Sequence, residues 1–211
     1  MKVSSSKGKI LKNIREALSN PVPLPFPKSE GNSSIFQPQE KELDILFAEE
    51  FSKLLGKFAF CLDEEDAKNQ IQILLKQGKL SKIYCAEEQL KKYLEGIEET
   101  TDLANCDAAI TSCHYLVART GSIVLSSALK EGRTASVYAP IHICIAYTHQ
   151  LVFDTKDAII GMKQKFGEQL PSSITFAAGP SRTADIEKTL VVGVHGPKEV
   201  YVFMIDEPFE S

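Results

Sequence analysis

The sequence has no clustered cysteines, no excess of positive charge and no apolar run long enough to cross a membrane. Its five cysteines, Cys61, Cys85, Cys106, Cys113 and Cys144, are odd in number, and none stands as C-x-x-C. Thiols scattered through apolar runs such as FAFCL, KIYCA and HICIA predict buried free cysteines in a reducing compartment. The tight spacing of an iron–sulfur ligand set is missing. Lys and Arg number 24 against 28 Asp and Glu, a formal charge of −4, so no basic face is offered to nucleic acid. The most apolar stretch, Ser136 to Tyr147, falls far short of the roughly 20 residues of a membrane helix and holds Pro140 and His142. MKVSSSKGKIL lacks the apolar core of a secretory signal, so the cytoplasm is expected. There is no P-loop, G-x-G-x-x-G, G-x-S-x-G or H-E-x-x-H motif and no internal repeat. These absences predict a colourless chain with no metal and no cofactor.

What is present is the composition of an ordinary globule, 211 residues with 43% apolar and 25% charged side chains. A chain of this size buries roughly 70% of its unfolded surface, enough to fold without staples. Residues 1–39 read differently from the rest. Ser5 and Ser6 open an amphipathic helix with Ile10, Leu11, Ile14, Ala17 and Leu18 on one face and Lys9, Lys12 and Arg15 on others. Prolines alternate from Pro21 to Pro27, which forbids helix and favours a stiff extended segment. A polar stretch, Ser29 to Gln39, follows. This is a helical arm on a tether. It either folds back on its own core or docks on a second copy or a partner, and the tether's reach favours docking.

Residues 40–211 alternate short strands and helices, the mark of a parallel sheet covered by helices. Helices are expected over KELDILFAEEFSKLLGK, EEDAKNQIQILLKQGK, EEQLKKYLEG and DTKDAIIGMKQKFGEQL, with Gly56 and Gly78 as stops, Asp63 as one cap and Asp154 or Thr155 as another. Strands are expected at FAFCL, KIYCA, DAAITSC, SIVLSS, TASVYA, HICIAYT, QLVFD, ITFAAG and EVYVFMID. The run from Ser122 to Asp154 has no intervening helix, so part of the sheet is antiparallel or forms a separate β layer. The fold class is α/β with a mixed, largely parallel sheet.

Three turns are candidates for chemistry. In Gly179-Pro180-Ser181-Arg182-Thr183-Ala184-Asp185 the glycine permits a turn after ITFAA. Thr183 would cap a short helix, with Asp185 in its first turn. Backbone amides beside Arg182 suit a carboxylate or phosphate. Alternatively, Arg182 pairs with Asp185 or Glu187 and pins the loop. Gly193-Val194-His195-Gly196-Pro197 is a tight bend in which His195 is either a structural residue or a proton and hydrogen-bond donor. Thr120-Gly121-Ser122 offers two hydroxyls around a glycine turn. Glu131-Gly132-Arg133 reads as a solvated hairpin turn. ITFAA and EVYVFMI are apolar runs expected to lie centrally, which would bring Arg182 and His195 to one cleft.

Gly179 to Asp206, GPSRTADIEKTLVVGVHGPKEVYVFMID, closely resembles the C-terminal signature of the lactate utilization protein C family, also called the LUD domain. TGSIVL, APIHICIA and Val152-Phe153 resemble that family's middle, and the helix and proline-rich segment resemble its start, so the resemblance covers essentially the whole chain. It implies a three-layer α/β/α fold related to the sugar-phosphate isomerase and coenzyme A transferase superfamily. It also implies an accessory, non-redox role in oxidising L-lactate to pyruvate, beside partner subunits that carry the iron–sulfur clusters. An organic-acid binding module and a free-standing enzyme on a small phosphorylated or acyl substrate are the alternatives. Family members often carry an acidic residue before the T-G-S turn. Here Arg119 stands there, which argues against a glutamate-based acyl transfer and puts a second arginine toward the cleft of Arg182.

Overall fold

Apolar runs bounded by glycine, asparagine or aspartate become the strands of a computed structural model of the chain, which describes residues 5–19, 39, 41–186 and 189–207. The chain divides into two compact units, residues 1–38 and 39–211. The first contributes one described element, helix α1 (Ser5–Ser19), on which Ile10, Leu11 and Ile14 are exposed. The proline-rich segment lies outside the described residues.

In the second unit α2 (Leu43–Lys53) leads into β1 (Lys57–Cys61), α3 (Glu64–Gln77), β2 (Ile83–Tyr84), β3 (Glu99–Thr100) and β4 (Ala108–Thr111). Then follow β5 (Tyr115–Val117), β6 (Ser122–Ser126), α4 (Gly132–Tyr138), β7 (Ile141–Tyr147), β8 (Leu151–Val152) and α5 (Thr155–Phe166). The chain closes with β9 (Ile174–Ala177), β10 (Arg182–Ile186), β11 (Thr189–Val192) and β12 (Glu199–Ile205). Asp63 caps α3 by accepting from the Asp66 amide at 2.8 Å, and Asp154 caps α5, as their sequences predict. At the end of α2 it is Leu55, at φ 67°, that takes the left-handed turn. Gly56 instead makes room for the Phe51 ring, 2.4 Å from where a Cβ would sit.

The parallel part of the expected sheet is one six-stranded sheet in the order β1-β12-β7-β4-β2-β3, every pairing parallel. Its central strands β12 and β7 are the apolar runs, buried on both faces. Ile71, Leu75, Leu90, Tyr93 and Leu94 from α3 and a 3-10 helix cover one face. Phe47 and Phe51 of α2, with Leu116, Ile123 and Leu125, cover the other. Antiparallel pairing joins β5, β6 and β9 in a second sheet, β8-β5-β6-β9, which packs against that face and carries α5 on its own outer side, and it also joins β10 to β11. The fold is α/β with helices on both sides of the main sheet.

Four local expectations are corrected. TASVYA is not a strand. Glu131 adopts φ 54° and opens α4, with its side chain bonded to the Tyr84 hydroxyl. Ala135 and Ala139 then pack on Ala109 and Tyr84, a small-residue face that lets the helix lie close to the sheet. The Glu131-Gly132-Arg133 segment is therefore a helix start and not a hairpin. EEQLKKYLEG winds as a 3-10 helix over Glu88–Leu94. ITFAA, expected centrally, is the edge strand β9 of the second sheet.

Candidate functional site

The turns after β9 and before β12 are locked together through the backbone. Gly179 takes φ 74°. The Ser181 amide donates to the Pro197 carbonyl at 2.9 Å, and the Gly193 amide donates to the Ser181 carbonyl at 2.8 Å. A Cβ on Gly196 would sit 2.8 Å from Ser181 Cβ. The Ser181 turn and the His195 turn thus lie side by side. The helix expected at Thr183 does not form. Arg182 and Thr183 pair with Val192 and Val191 in an antiparallel hairpin, β10–β11. Its β-branched residues favour the extended chain over a helix start. Asp185 lies within β10. Arg182 and His195 are both exposed. A cleft of ≈ 450 Å³ is lined by Val137, Tyr138, Pro140, Val194, His195 and Lys198, with Gly193 and Gly196. Arg182 stands outside that lining, next to Ser181.

Thr120, Gly121 and Ser122 join this region through α2. Gly121 takes φ 55°, and its Cβ position lies 2.6 Å from the Phe51 amide nitrogen. The Cβ position of Gly179 lies 2.5 Å from the Leu54 carbonyl oxygen. Two loop glycines thus grip the carboxyl-terminal end of α2 from separate parts of the chain. The hydroxyls beside Gly121 bond to each other, Thr120 Oγ1 donating to Ser122 Oγ at 2.9 Å.

All these turns lie at the amino-terminal edge of the parallel sheet. Residues 193–198 lead into β12, Pro140 leads into β7, and the end of α2 leads into β1. Ligands of open α/β sheets collect at the opposite, carboxyl edge. There the structure gathers residues the sequence did not single out. Glu87, 5% exposed, accepts from the Ser112 amide at 2.8 Å and from Ser112 Oγ at 2.5 Å. Gln150 Nε2 donates to the Cys113 carbonyl at 2.7 Å. Glu87 reads in sequence as the first turn of a helix, and no spacing links it to Ser112, so nothing in the chain marks the pair. Two histidines lie deeper. His142 Nε2 meets Thr111 Oγ1, and His114 Nε2 meets Ser126 Oγ, each at 2.8 Å. Burial lowers both imidazoles to about 4. Among the described residues no three His, Cys, Asp or Glu side chains gather to hold a metal. All five cysteines are free and buried.

The model of the LUD domain matches residues 46–205, well over half of the chain. The chain belongs to the LUD domain family. The LUD domain begins within α2 and ends with β12, so it includes both sheets and both edges. Lactate utilization protein C of Halalkalibacterium halodurans is 35% identical over 117 residues, 54% of this chain and 51% of that protein. The protein of the same name from Shouchella clausii is 38% identical over 102 residues, 48% of this chain and 44% of that protein. The chain spans about half the length of these curated relatives. Protein YkgG of Escherichia coli is 25% identical over 230 residues, covering 95% of this chain and 99% of that protein. A crystal structure of a DUF162 family protein from Deinococcus radiodurans superposes with a TM-score of 0.61 at 18% identity, over 80% of this chain and 99% of that one. That likeness shows the fold.

Within this LUD domain Arg119 is not a second arginine of the Arg182 cleft. Its Nε donates to Asp154 Oδ2 at 2.6 Å, and its amide donates to the Phe153 carbonyl. Asp154 is the cap of α5, and its carboxyl is held below the usual range first by the Arg119 hydrogen bond. The arginine therefore ties the turn before β6 to the start of α5. Arg119 is 41% exposed, so the pair contributes about 0.5–1 kcal/mol after solvent screening. Arg119→Ala is expected to lower the melting temperature by about 1–4 °C. In an Asp154→Ala background the same change should do nothing. Equal losses in both backgrounds would show that the pair is not the cause.

Proposed function

We propose that this LUD domain serves lactate utilization as a non-redox component and binds a small carboxylate where the Ser181 and His195 turns meet. The relatives named lactate utilization protein C support the first part. The observation that carries the second is the junction itself. His195 and Lys198 line a cleft with an apolar wall of Val137, Tyr138 and Val194, and Arg182, beside Ser181, is exposed just outside that lining. A short hydroxy acid has matching parts, an anionic carboxylate and a small apolar tail. Arg182 would grip the carboxylate with its fork, and His195 would donate a hydrogen bond. Ser181, Thr183 and the Thr120-Gly121-Ser122 turn would hold these groups in place. Asp185 would balance charge on the hairpin. Subunits carrying iron–sulfur clusters would take the electrons.

The test pairs binding with growth. Titrating the full chain with L-lactate should show saturable binding, weakened roughly tenfold by Arg182→Lys, which keeps the charge and loses the fork. A strain deleted for the protein should recover growth on lactate with the parent chain and fail with His195→Ala. If both variants support growth as well as the parent at equal protein levels, the turns are structural only.

A second reading, a free-standing enzyme on a small phosphorylated or acyl substrate, draws on Glu87 at the carboxyl edge. Turnover by the isolated chain that disappears in Glu87→Gln would favour it over the first.

A further inference from the structure

We infer that the carboxyl-edge face around Phe60 and Leu62 is the seat for helix α1 of a second copy of this chain. A cleft of ≈ 520 Å³ opens there. Leu43, Phe60 and Leu151 form its apolar floor, and Asp44, His149 and Asp206 lie on its rim. The apolar surface continues beyond it. Ile45 follows Asp44 and is 50% exposed, and Leu62, just past β1, is 74% exposed. Phe60 itself is 40% exposed. The surroundings are acidic. Asp63, Glu64 and Glu65 follow Leu62, and Glu207 follows Asp206 and pairs with His149 at 3.4 Å. Large apolar side chains ringed by one sign of charge mark a docking surface for the opposite sign.

Helix α1 has the complementary make-up. Ile10, Leu11 and Ile14 are exposed on it, and Lys7, Lys9, Lys12 and Arg15 stand against one acid, Glu16. A second exposed apolar face, Val137, Tyr138, Val192 and Val194, is bordered by Arg182, His195 and Lys198, and a third, Ile159 and Ile160 on α5, shares its helix with Lys163 and Lys165. Those faces would repel a basic helix. Charge therefore favours the acidic surface. Reach is sufficient, since residues 20–38 span at most roughly 65 Å when extended. Prolines alternate from Pro21 to Pro27 in that span, a composition that favours a stiff, extended chain. This inference is independent of the carboxylate reading, because the two faces lie at opposite edges of the sheet.

The experiment uses the full chain and two kinds of copy, one carrying Ile14→Cys and the other Leu62→Cys. The native cysteines are buried, so the introduced thiols react first. Mild oxidation of the mixture should give a covalent heterodimer. The parent should sediment above its 23.3 kDa chain mass. Leu62→Asp should weaken that assembly at least about tenfold with the melting temperature of the chain unchanged, because Leu62 is on the surface. Raising the salt concentration should weaken it as well. The inference is overturned if the parent sediments as a single chain at micromolar concentration. It is also overturned if a copy carrying both cysteines cross-links only within itself, or if Tyr138→Asp dissociates the assembly and Leu62→Asp does not.

Discussion

Gly121→Ala is expected to lower the melting temperature by about 5–20 °C. The residue sits at φ 55°, and an added Cβ would lie 2.6 Å from the Phe51 amide nitrogen and 2.8 Å from the Glu50 carbonyl carbon. Both are main-chain atoms of α2, so no side chain can swing aside. Left-handed strain costs about 1–3 kcal/mol, and forcing packed backbone apart costs about 1–3 kcal/mol more. For a chain of this length each kcal/mol moves the midpoint by about 2–4 °C. Gly179→Ala meets the Leu54 carbonyl oxygen at 2.5 Å and should behave alike. Gly96 supplies the control, since it has φ 77° with nothing within 4 Å of its Cβ position. Gly96→Ala should lose only the strain. If Gly121→Ala loses no more than Gly96→Ala, the close approach to α2 is not what the glycine serves.

This role for the two glycines bears on how the turns are to be read. Both belong to the segments that carry the LUD resemblance, T-G-S and G-P-S-R. The pattern is conspicuous in sequence because glycine, proline and small hydroxyl residues fall together. That conspicuousness reports a clamp on α2 as much as a ligand site. Backbone hydrogen bonds join the Ser181 and His195 turns, and both flank apolar strands and are rich in turn residues. Periodicity alone does not say at which edge of a sheet such turns lie. That depends on the direction in which β12 runs. β12 lies parallel to β1 and β7, and this direction puts residues 193–198 at the amino edge. The same blindness hid Glu87 and Ser112, 25 residues apart and brought together only because β2 and β4 are neighbours. Local patterns failed where two elements share a signature. A polar residue followed by acids begins a helix, and it also fits the solvent side of a hairpin, so Thr183 and Asp185 read as a cap. Alternation in TASVYA fits a strand, and it also fits a short helix whose two alanines face the sheet. The long apolar runs and the Asp63 cap had no such competitor, and they were legible.

Lowering the pH from 7 to 5 is expected to remove about 3–4 kcal/mol of stability through two histidines alone. His142 is 1% exposed and His114 is 6% exposed. Each is held neutral, its imidazole lowered from 6.5 to about 4. Burial is the leading cause for both, and Lys165 adds to it for His114. Above the unfolded value neither the folded nor the unfolded chain binds the proton, and stability is unaffected. Between 6.5 and about 4 the unfolded chain binds it and the folded chain does not. Stability then falls with pH by up to about 1.4 kcal/mol per unit for each histidine. Below about 4 both states are protonated and this slope ends. Other groups take over there, because Asp66, Asp107 and Asp154 have carboxyls lowered by hydrogen bonds and an ion pair. Those three add stability above their unfolded values and lose it at still lower pH. The measurement is the urea midpoint and slope of the full chain at half-unit steps from pH 7.5 to 4.5, converted to free energy. His142→Gln and His114→Gln will each destabilise the chain at every pH, since each disturbs a buried hydrogen bond. The readout is therefore the slope, which each variant should reduce by about half and the double variant should nearly abolish between pH 6.5 and 5. A slope that survives in the double variant would assign the acid sensitivity to other groups. It would also show that neither imidazole is kept neutral by the fold.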